Sequence, residues 1–287
     1  MSDWTAKLAG RRVVASVSGG KDSAAMSLWL TEQGIEHDRV FMDTGWEHPS
    51  VYEYLRGPLA AKLGPIAEIR GPETMEQLVL RKGIFPTGSR RFCTEKLKKE
   101  PLRDYIARIQ DGGREVLNTV GIRAEESEAR SQNPPWEWSD YLDCEVWRPI
   151  LDWRLEDVIE IHRRHGLAPH PLYTRGLGVQ RIGCWPCIYA TKAEIRFIAE
   201  QDPARIDYLR GLEKRVSALA REKRLKIVNQ TWFRSEKLSR GFPIDEAVDW
   251  SRTSRGGKQY EMFAASGREL GCMRWGLCET SPIKEKP

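Results

Sequence analysis

The chain has 287 residues, 46 Lys+Arg against 41 Asp+Glu for a net charge of +5, and 40% hydrophobic residues. That size and mix fit a globular protein built as one large domain, or as one α/β domain with an appendage. No run approaches the roughly 18 apolar residues of a membrane-crossing helix, and residues 1–12 lack the apolar segment of a secretion signal, so a cytoplasmic protein with no membrane partner is expected. In a reducing compartment the six cysteines point to metal binding or redox chemistry rather than to structural bridges. The mildly basic balance permits an anionic partner.

In chain order, the apolar run 12–17 predicts a buried strand, and 21–33 a helix with Ala25, Leu28 and Trp29 on one face. A strand follows at 39–42 and a helix at 50–63. Residues 66–69 read as a third strand, with helices near 73–81 and 94–109. A fourth strand is expected at 116–122, a fifth at 145–149, and a helix at 155–165. Strands alternating with helices predict right-handed βαβ units and a mainly parallel sheet. The character changes after Pro171. Residues 192–226 are helical with a break near Pro203, and the remainder is irregular, rich in Gly, Arg and aromatics. The expected division is 1–170 and 171–287.

The strongest local signal is Ser18-Gly19-Gly20-Lys21-Asp22-Ser23, directly after a strand and opening a helix. Two glycines let the backbone turn tightly and aim its N–H groups at an anion. The helix start adds free N–H groups and the positive end of its dipole. Lys21 supplies a point charge, and Ser18 and Ser23 supply hydroxyls. The GxxxxGK[ST] spacing of a Walker A loop is absent.

This loop resembles the pyrophosphate loop of the ATP pyrophosphatase superfamily, and further segments narrow the likeness to its phosphoadenosine-phosphosulfate reductase-like branch. Phe41-Met42-Asp43-Thr44-Gly45 ends the second strand, where that branch carries Asp-Thr-Gly near the nucleoside. Gly121-Ile122-Arg123-Ala124-Glu125-Glu126-Ser127 with Arg130 is similar to its Gly-x-Arg-x-x-Glu-Ser motif. Pro149-Ile150-Leu151-Asp152-Trp153 before Asp157-Val158, and Arg181-Ile182-Gly183-Cys184-Trp185-Pro186-Cys187, are similar to later motifs. The resemblance implies an adenine-nucleotide α-hydrolase-like parallel sheet with helices on both faces, plus a helical, cysteine-bearing C-terminal region. It also implies cleavage of ATP between its α and β phosphates. Lys21, Asp22, Arg123 and Cys93 are then the candidate catalytic residues. Ser18, Gly19, Gly20, Lys21, Asp22, Ser23, Asp43, Thr44, Gly121, Arg123 and Arg130 are candidates for holding the nucleotide. Arg123 and Arg130 suit phosphate oxygens because a guanidinium pairs with them bidentately. Asp43, Asp22 and Glu126 are candidates for Mg²⁺.

Cys184 and Cys187 form a Cys-x-x-Cys clamp. Cys93, in Cys93-Thr94-Glu95-Lys96-Leu97-Lys98, resembles the branch's Cys-Thr-x-x-Leu-Lys motif. Its place near a helix start with Arg90, Arg91 and Lys96 close by favours a thiolate. With Cys278 or Cys272 as a fourth ligand, these thiols suit a [4Fe–4S] cluster, with Cys₄ zinc or thiol exchange as alternatives. Cys144 reads as a small core residue.

Two features distinguish the chain within the branch. The loop keeps both Lys21 and Asp22, which implies that ATP itself is cleaved. A C-terminal Glu-Cys-Gly-Leu-His element, typical of reductases, is replaced by Gly276-Leu277-Cys278-Glu279. The nearest kin are then the Dnd-type and Ssp-type ATP pyrophosphatases of DNA phosphorothioation, which implies a nucleic-acid partner (DNA favoured) and a cysteine desulfurase as sulfur donor. A phosphosulfate reductase and a tRNA-thiolating enzyme are the alternatives, and a homodimer is compatible with either. Arg252 to Lys258 form a basic loop, and Trp232, Phe233, Trp250, Tyr260 and Trp275 are candidates for stacking on bases.

Overall fold

The computed structural model describes residues 4–175, 179, 181–235 and 240–253. The chain falls into two compact units: the first is Met1–His170 with Ile182–Cys187, and the second Pro171–Arg181 with Ile188–Pro287. The Cys-x-x-Cys segment therefore belongs to the first unit, on the other side of the expected division from its sequence neighbours.

The first unit opens with α1 (Trp4–Leu8), β1 (Arg12–Ser16), α2 (Lys21–Glu32) and β2 (His37–Asp43). Then come α3 (Pro49–Tyr54), a π turn (Leu55–Leu59), α4 (Ala60–Leu63), β3 (Ile66–Arg70) and α5 (Met75–Lys82). The third stretch holds α6 (Phe92–Thr94), a second π turn (Glu95–Lys99), α7 (Glu100–Asp111) and β4 (Val116–Val120). A 3₁₀ turn (Ala124–Glu126), α8 (Glu128–Ser131), β5 (Trp136–Ser139), β6 (Cys144–Trp147) and α9 (Leu155–Arg164) complete it. The single helix expected at 50–63 is interrupted because Pro58, inside it, has no N–H to donate, and the π turn absorbs the gap.

The six strands run in the order β3-β2-β1-β4-β6-β5. All pairs are parallel except β5–β6, which is antiparallel. Sequence patterning missed β5, which pairs as a hairpin and stacks Trp136 on Trp147 at 4.8 Å between ring centroids. The central strands are rich in buried apolar residues because helices cover both faces, and Asn118 and Thr119 of β4 are buried with them. Alternate residues feed different cores: Val14, Val40, Val116 and Val146 pack with Leu102 and Ile106 of α7. On the other face Val13, Ala15, Leu117 and Trp147 meet Met26 and Leu30 of α2. Trp4, Trp29, Trp136 and Trp147 form an aromatic cluster here, so these tryptophans serve the core.

The second unit contains α10 (Pro171–Arg175), α11 (Lys192–Gln201), α12 (Pro203–Glu222), β7 (Phe233–Ser235), β8 (Arg240–Phe242) and α13 (Ile244–Ser251). The break at Pro203 is present: Pro203 opens α12, where a missing N–H is harmless, and Asp202 caps it by accepting from the Arg205 N–H at 3.1 Å. Buried Glu213 of α12 accepts from the backbone N–H of Trp232 at 2.8 Å and of Ile244 at 3.2 Å, holding the start of α13. Among the described residues no helix is long and apolar enough to cross a membrane.

His37, at the start of β2, is buried, with Nε2 2.8 Å from Ser27 Oγ and Nδ1 2.8 Å from the Ile35 carbonyl. Burial depresses its pKa to about 4. The unfolded chain binds a proton near pH 6.5 that the folded chain refuses, so stability is full above that pH and falls as pH drops toward 4. The loss amounts to about 3 kcal/mol at most. Thermal midpoints measured from pH 7.5 to 4.5 should fall across this window, and less steeply in His37→Gln; equal slopes would remove His37 as the cause.

Candidate nucleotide site

Strand order reverses direction between β1 and β4, and in open parallel sheets the crevice beyond the strand ends at such a point is where ligands bind. The loop after β1 enters α2 here. Gly19 has φ +77°, a left-handed conformation that a side chain would strain. Gly20 is the N-cap of α2 and makes no side-chain capping bond, which leaves the helix start to its backbone N–H groups. The loop is tied internally by hydroxyls: Ser23 Oγ donates to the Gly20 carbonyl at 3.0 Å and accepts from the Ser18 N–H at 3.1 Å.

The loop after β4 packs directly against this turn. A Cβ on Gly121 would lie 2.7 Å from the Asp22 carbonyl oxygen and 2.8 Å from Ser23 Cα, both backbone atoms that cannot yield. Gly121 is thus a site of close chain approach. Two residues on, buried Arg123 donates Nε to Asp22 Oδ1 at 2.6 Å and also pairs with Glu125. The other Asp22 oxygen takes Lys21 Nζ at 3.0 Å. Burial alone would push the Asp22 carboxyl up, but the two cations hold it below its usual range. Beneath the loop, His162 of α9 puts Nε2 2.9 Å from the Lys21 carbonyl oxygen, a support that sequence reading did not single out.

The end of β2 is just as occupied. Asp43 accepts from the Gly45 N–H at 2.8 Å, from Tyr52 Oη at 2.7 Å and from Arg70 Nε at 2.9 Å. Thr44 is fully buried and donates Oγ1 to Glu47 Oε1 at 2.7 Å, which commits its proton within the turn. Glu126 pairs with Arg130 and accepts from the Arg123 N–H at 3.0 Å. The three carboxylates read as Mg²⁺ candidates therefore each hold a cationic side chain already. Arg130 stands partly exposed at the rim.

Glu47, also missed, organises the cysteines. It accepts from the N–H groups of Thr44 at 3.3 Å and Trp46 at 3.1 Å. Its backbone bridges Cys184, the Trp185 N–H donates to the Trp46 carbonyl at 2.8 Å, and Trp46 Nε1 donates to the Pro186 carbonyl at 3.1 Å. Lys98, the last residue of the Cys-Thr-x-x-Leu-Lys motif, is the cation of this corner. Its pKa is raised chiefly by Cys184 and also by Glu47, Cys187 and Cys93. Burial pushes the Cys184 thiol up to about 11, and burial also raises Cys93, with Lys98 opposing both. Burial of Cys93 thus works against the thiolate that the nearby cations favour. Cys144 is buried in the core, as expected.

Among the described residues no group of three or more His, Cys, Asp or Glu is gathered closely enough to hold a metal ion. Cys93, Cys184 and Cys187 do not form a ligand set by themselves, and Cys278 and Cys272 lie outside the described residues. Of the aromatic candidates, Trp232 and Phe233 are buried in the second unit and unavailable for stacking, while Trp250 is partly exposed. Tyr260 and Trp275, and the basic loop beyond Thr253, lie outside the described residues.

Residues 12–190 match the phosphoadenosine phosphosulfate reductase domain. An uncharacterized 37.8 kDa protein of Escherichia phage 186 is 32% identical over 93% of this chain and 96% of its own length. The adenosine 5′-phosphosulfate reductase of Allochromatium vinosum is 33% identical over 42% of this chain and 45% of that one. Phosphoadenylyl-sulfate reductase from Candida auris, solved as a phosphate complex, gives a TM-score of 0.49 at 20% identity, covering 63% of this chain and 85% of that one.

Gly121→Ala should lower the thermal midpoint and weaken nucleotide binding together, since the two loops must part. Asp22→Asn should cost about 3 kcal/mol in denaturant unfolding, because it leaves the Arg123 charge buried with one partner fewer. Unchanged unfolding midpoints in both variants would contradict the described loop contact. With the loop after β1, the Gly-x-Arg turn after β4 and the Cys-x-x-Cys segment all in the first unit, the chain belongs to the phosphoadenosine phosphosulfate reductase domain family of the ATP pyrophosphatase superfamily.

Proposed function

We propose that the chain is an ATP pyrophosphatase that adenylylates an oxygen of a nucleic-acid acceptor, a DNA backbone phosphate favoured, so that sulfur can replace it. The observation that carries this reading is the intact Lys21–Asp22 pair, fixed by Arg123 at the reversal point of the sheet. A loop that accepts only a ready-made sulfate adenylate has no need of a second cation for a leaving pyrophosphate.

In this reaction the acceptor oxygen attacks the α-phosphorus of ATP, and the bond to the β-phosphate oxygen breaks with release of pyrophosphate. A persulfide R–S–S⁻ supplied by a cysteine desulfurase then displaces AMP to form an R–S–S–phosphorus adduct, and a thiol cleaves its S–S bond, taking R–S as a mixed disulfide and leaving the outer sulfur on phosphorus. The N–H groups at the start of α2 cradle the phosphates, and Lys21 neutralises charge on the departing pyrophosphate. Arg123 keeps Asp22 ionised and the loop in place, which is a positioning role. Mg²⁺ would travel with ATP; the carboxylates described above are already paired, so no step is assigned to them. A [4Fe–4S] cluster or zinc would need a ligand beyond the described thiols, and no step is routed through one. Reduction of a sulfonucleotide is the second reading, favoured by the reductase relatives in Allochromatium vinosum and Streptomyces coelicolor.

The deciding experiment follows α-labelled ATP with Mg²⁺, alone and with duplex DNA, tRNA or adenylyl sulfate. AMP release stimulated by DNA and reduced at least a hundredfold in Lys21→Ala (about 2.7 kcal/mol of transition-state stabilisation) is the expected result. Intact ATP throughout, with sulfite released from adenylyl sulfate by a thiol, would give the reductase reading instead.

A further inference from the structure

The net charge of +5 is not spread along the chain. Between residues 214 and 226 stand Lys214, Arg215, Arg221, Lys223, Arg224 and Lys226 against one acid, Glu222. That balance equals the charge of the whole molecule, so the remaining 40 basic and 40 acidic side chains cancel. All six cations are exposed. They occupy the outer side of α12 and the turn after it, while Leu209, Leu212, Val216 and Ala220 bury the inner side in the second unit.

Three other cations of this unit are tied to carboxylates: Arg196 to Glu200, Arg210 to Asp245 and Asp207, and Arg240 to Glu246. Lys214, Arg221, Arg224 and Lys226 have no ion pair among the described residues. Arg224 carries a second, independent sign. The Leu225 N–H donates to the Ala220 carbonyl at 2.9 Å and the Arg224 N–H to the Arg221 carbonyl at 3.0 Å, a Schellman ending. The position that glycine usually fills in such an ending holds Arg224 at φ +53°. A side chain in that left-handed region costs strain that glycine avoids, so the cation is present at the expense of the cap.

We propose that this basic ridge, residues 214–226, is a docking surface for the phosphate backbone of nucleic acid, an inference that rests on the acceptor reading above. Lys214 and Arg221 stand about 10 Å apart along the helix at 1.5 Å per residue. That spread fits a line of phosphates rather than one bound anion. The apolar side of α12 is used inside the unit, so the helix has no apolar face to insert into a lipid surface. Binding through backbone phosphates is independent of base sequence and steeply salt-dependent.

The test measures fluorescence anisotropy of a labelled 30-base-pair duplex of mixed sequence against the full chain and a Lys214→Gln, Arg221→Gln, Arg224→Gly, Lys226→Gln variant. At 100 mM salt the variant should bind at least tenfold more weakly, and its slope of log K against log salt should be shallower by about 3 to 4. Arg224→Gly alone should raise the thermal midpoint while weakening binding, whereas a purely structural Arg224 would lower both or move neither. A variant that binds within twofold of the parent would overturn the surface, as would a parent that binds phosphatidylserine vesicles but not the duplex. Binding lost in the variant upholds the surface even where no acceptor stimulates AMP release, an outcome that counts against the acceptor reading alone.

Discussion

The first unit depends on one buried ionic chain, Lys21 to Asp22 to Arg123, laid across the ends of β1 and β4. A carboxylate desolvated at the mouth of a sheet is costly unless both oxygens are matched, and here each takes a different cation. Because the two cations come from different loops, matching Asp22 also fixes the loops against each other. Gly121 makes the approach sterically feasible, and His162 supports the turn from below. What is left facing the crevice is a helix start with no side-chain cap, which is the electrostatic character an incoming phosphate requires.

A second corner, at the end of β2, follows the same physics with a different purpose. Glu47 and Asp43 are both buried, and hydroxyl, amide and guanidinium donors around them meet most of their acceptor capacity. The Cys-x-x-Cys segment is zipped onto this corner by backbone bonds rather than by its thiols. Lys98 then sits beside Cys184 and Cys93, whose burial raises their pKa values. Lys98 is the nearby charge that favours their thiolates.

Much of this was legible in the sequence. The parallel core, the helices between its strands and the break at Pro203 follow from apolar periodicity and proline chemistry, and the SGGKDS loop was evident from its glycines and its lysine. Other features depended on contacts far apart in the chain. β5 is a short polar-flanked run whose pairing with β6 is decided by Trp136 stacking on Trp147. Gly121 is legible as a glycine of the motif, but the Asp22 backbone packed beside it is not. Thr44 and Asp43 lie where the motif places them, but nothing in local spacing announces their bonds to Glu47, Tyr52 and Arg70. Cys93 illustrates the same limit, since counting neighbouring cations cannot reveal how much solvent is lost.

The central claim is that the loop between β1 and α2 holds the phosphates of an adenine nucleotide through Lys21 and the helix start. Calorimetric titration of the full chain with α,β-methylene-ATP, which cannot be cleaved between those phosphates, tests it most directly. The account predicts one site in the parent and at least tenfold weaker binding in Lys21→Ala, titrated well below its thermal midpoint, which should itself fall because Asp22 loses one of its two cations. Equal affinity in parent and variant, or no binding in the parent, would contradict it.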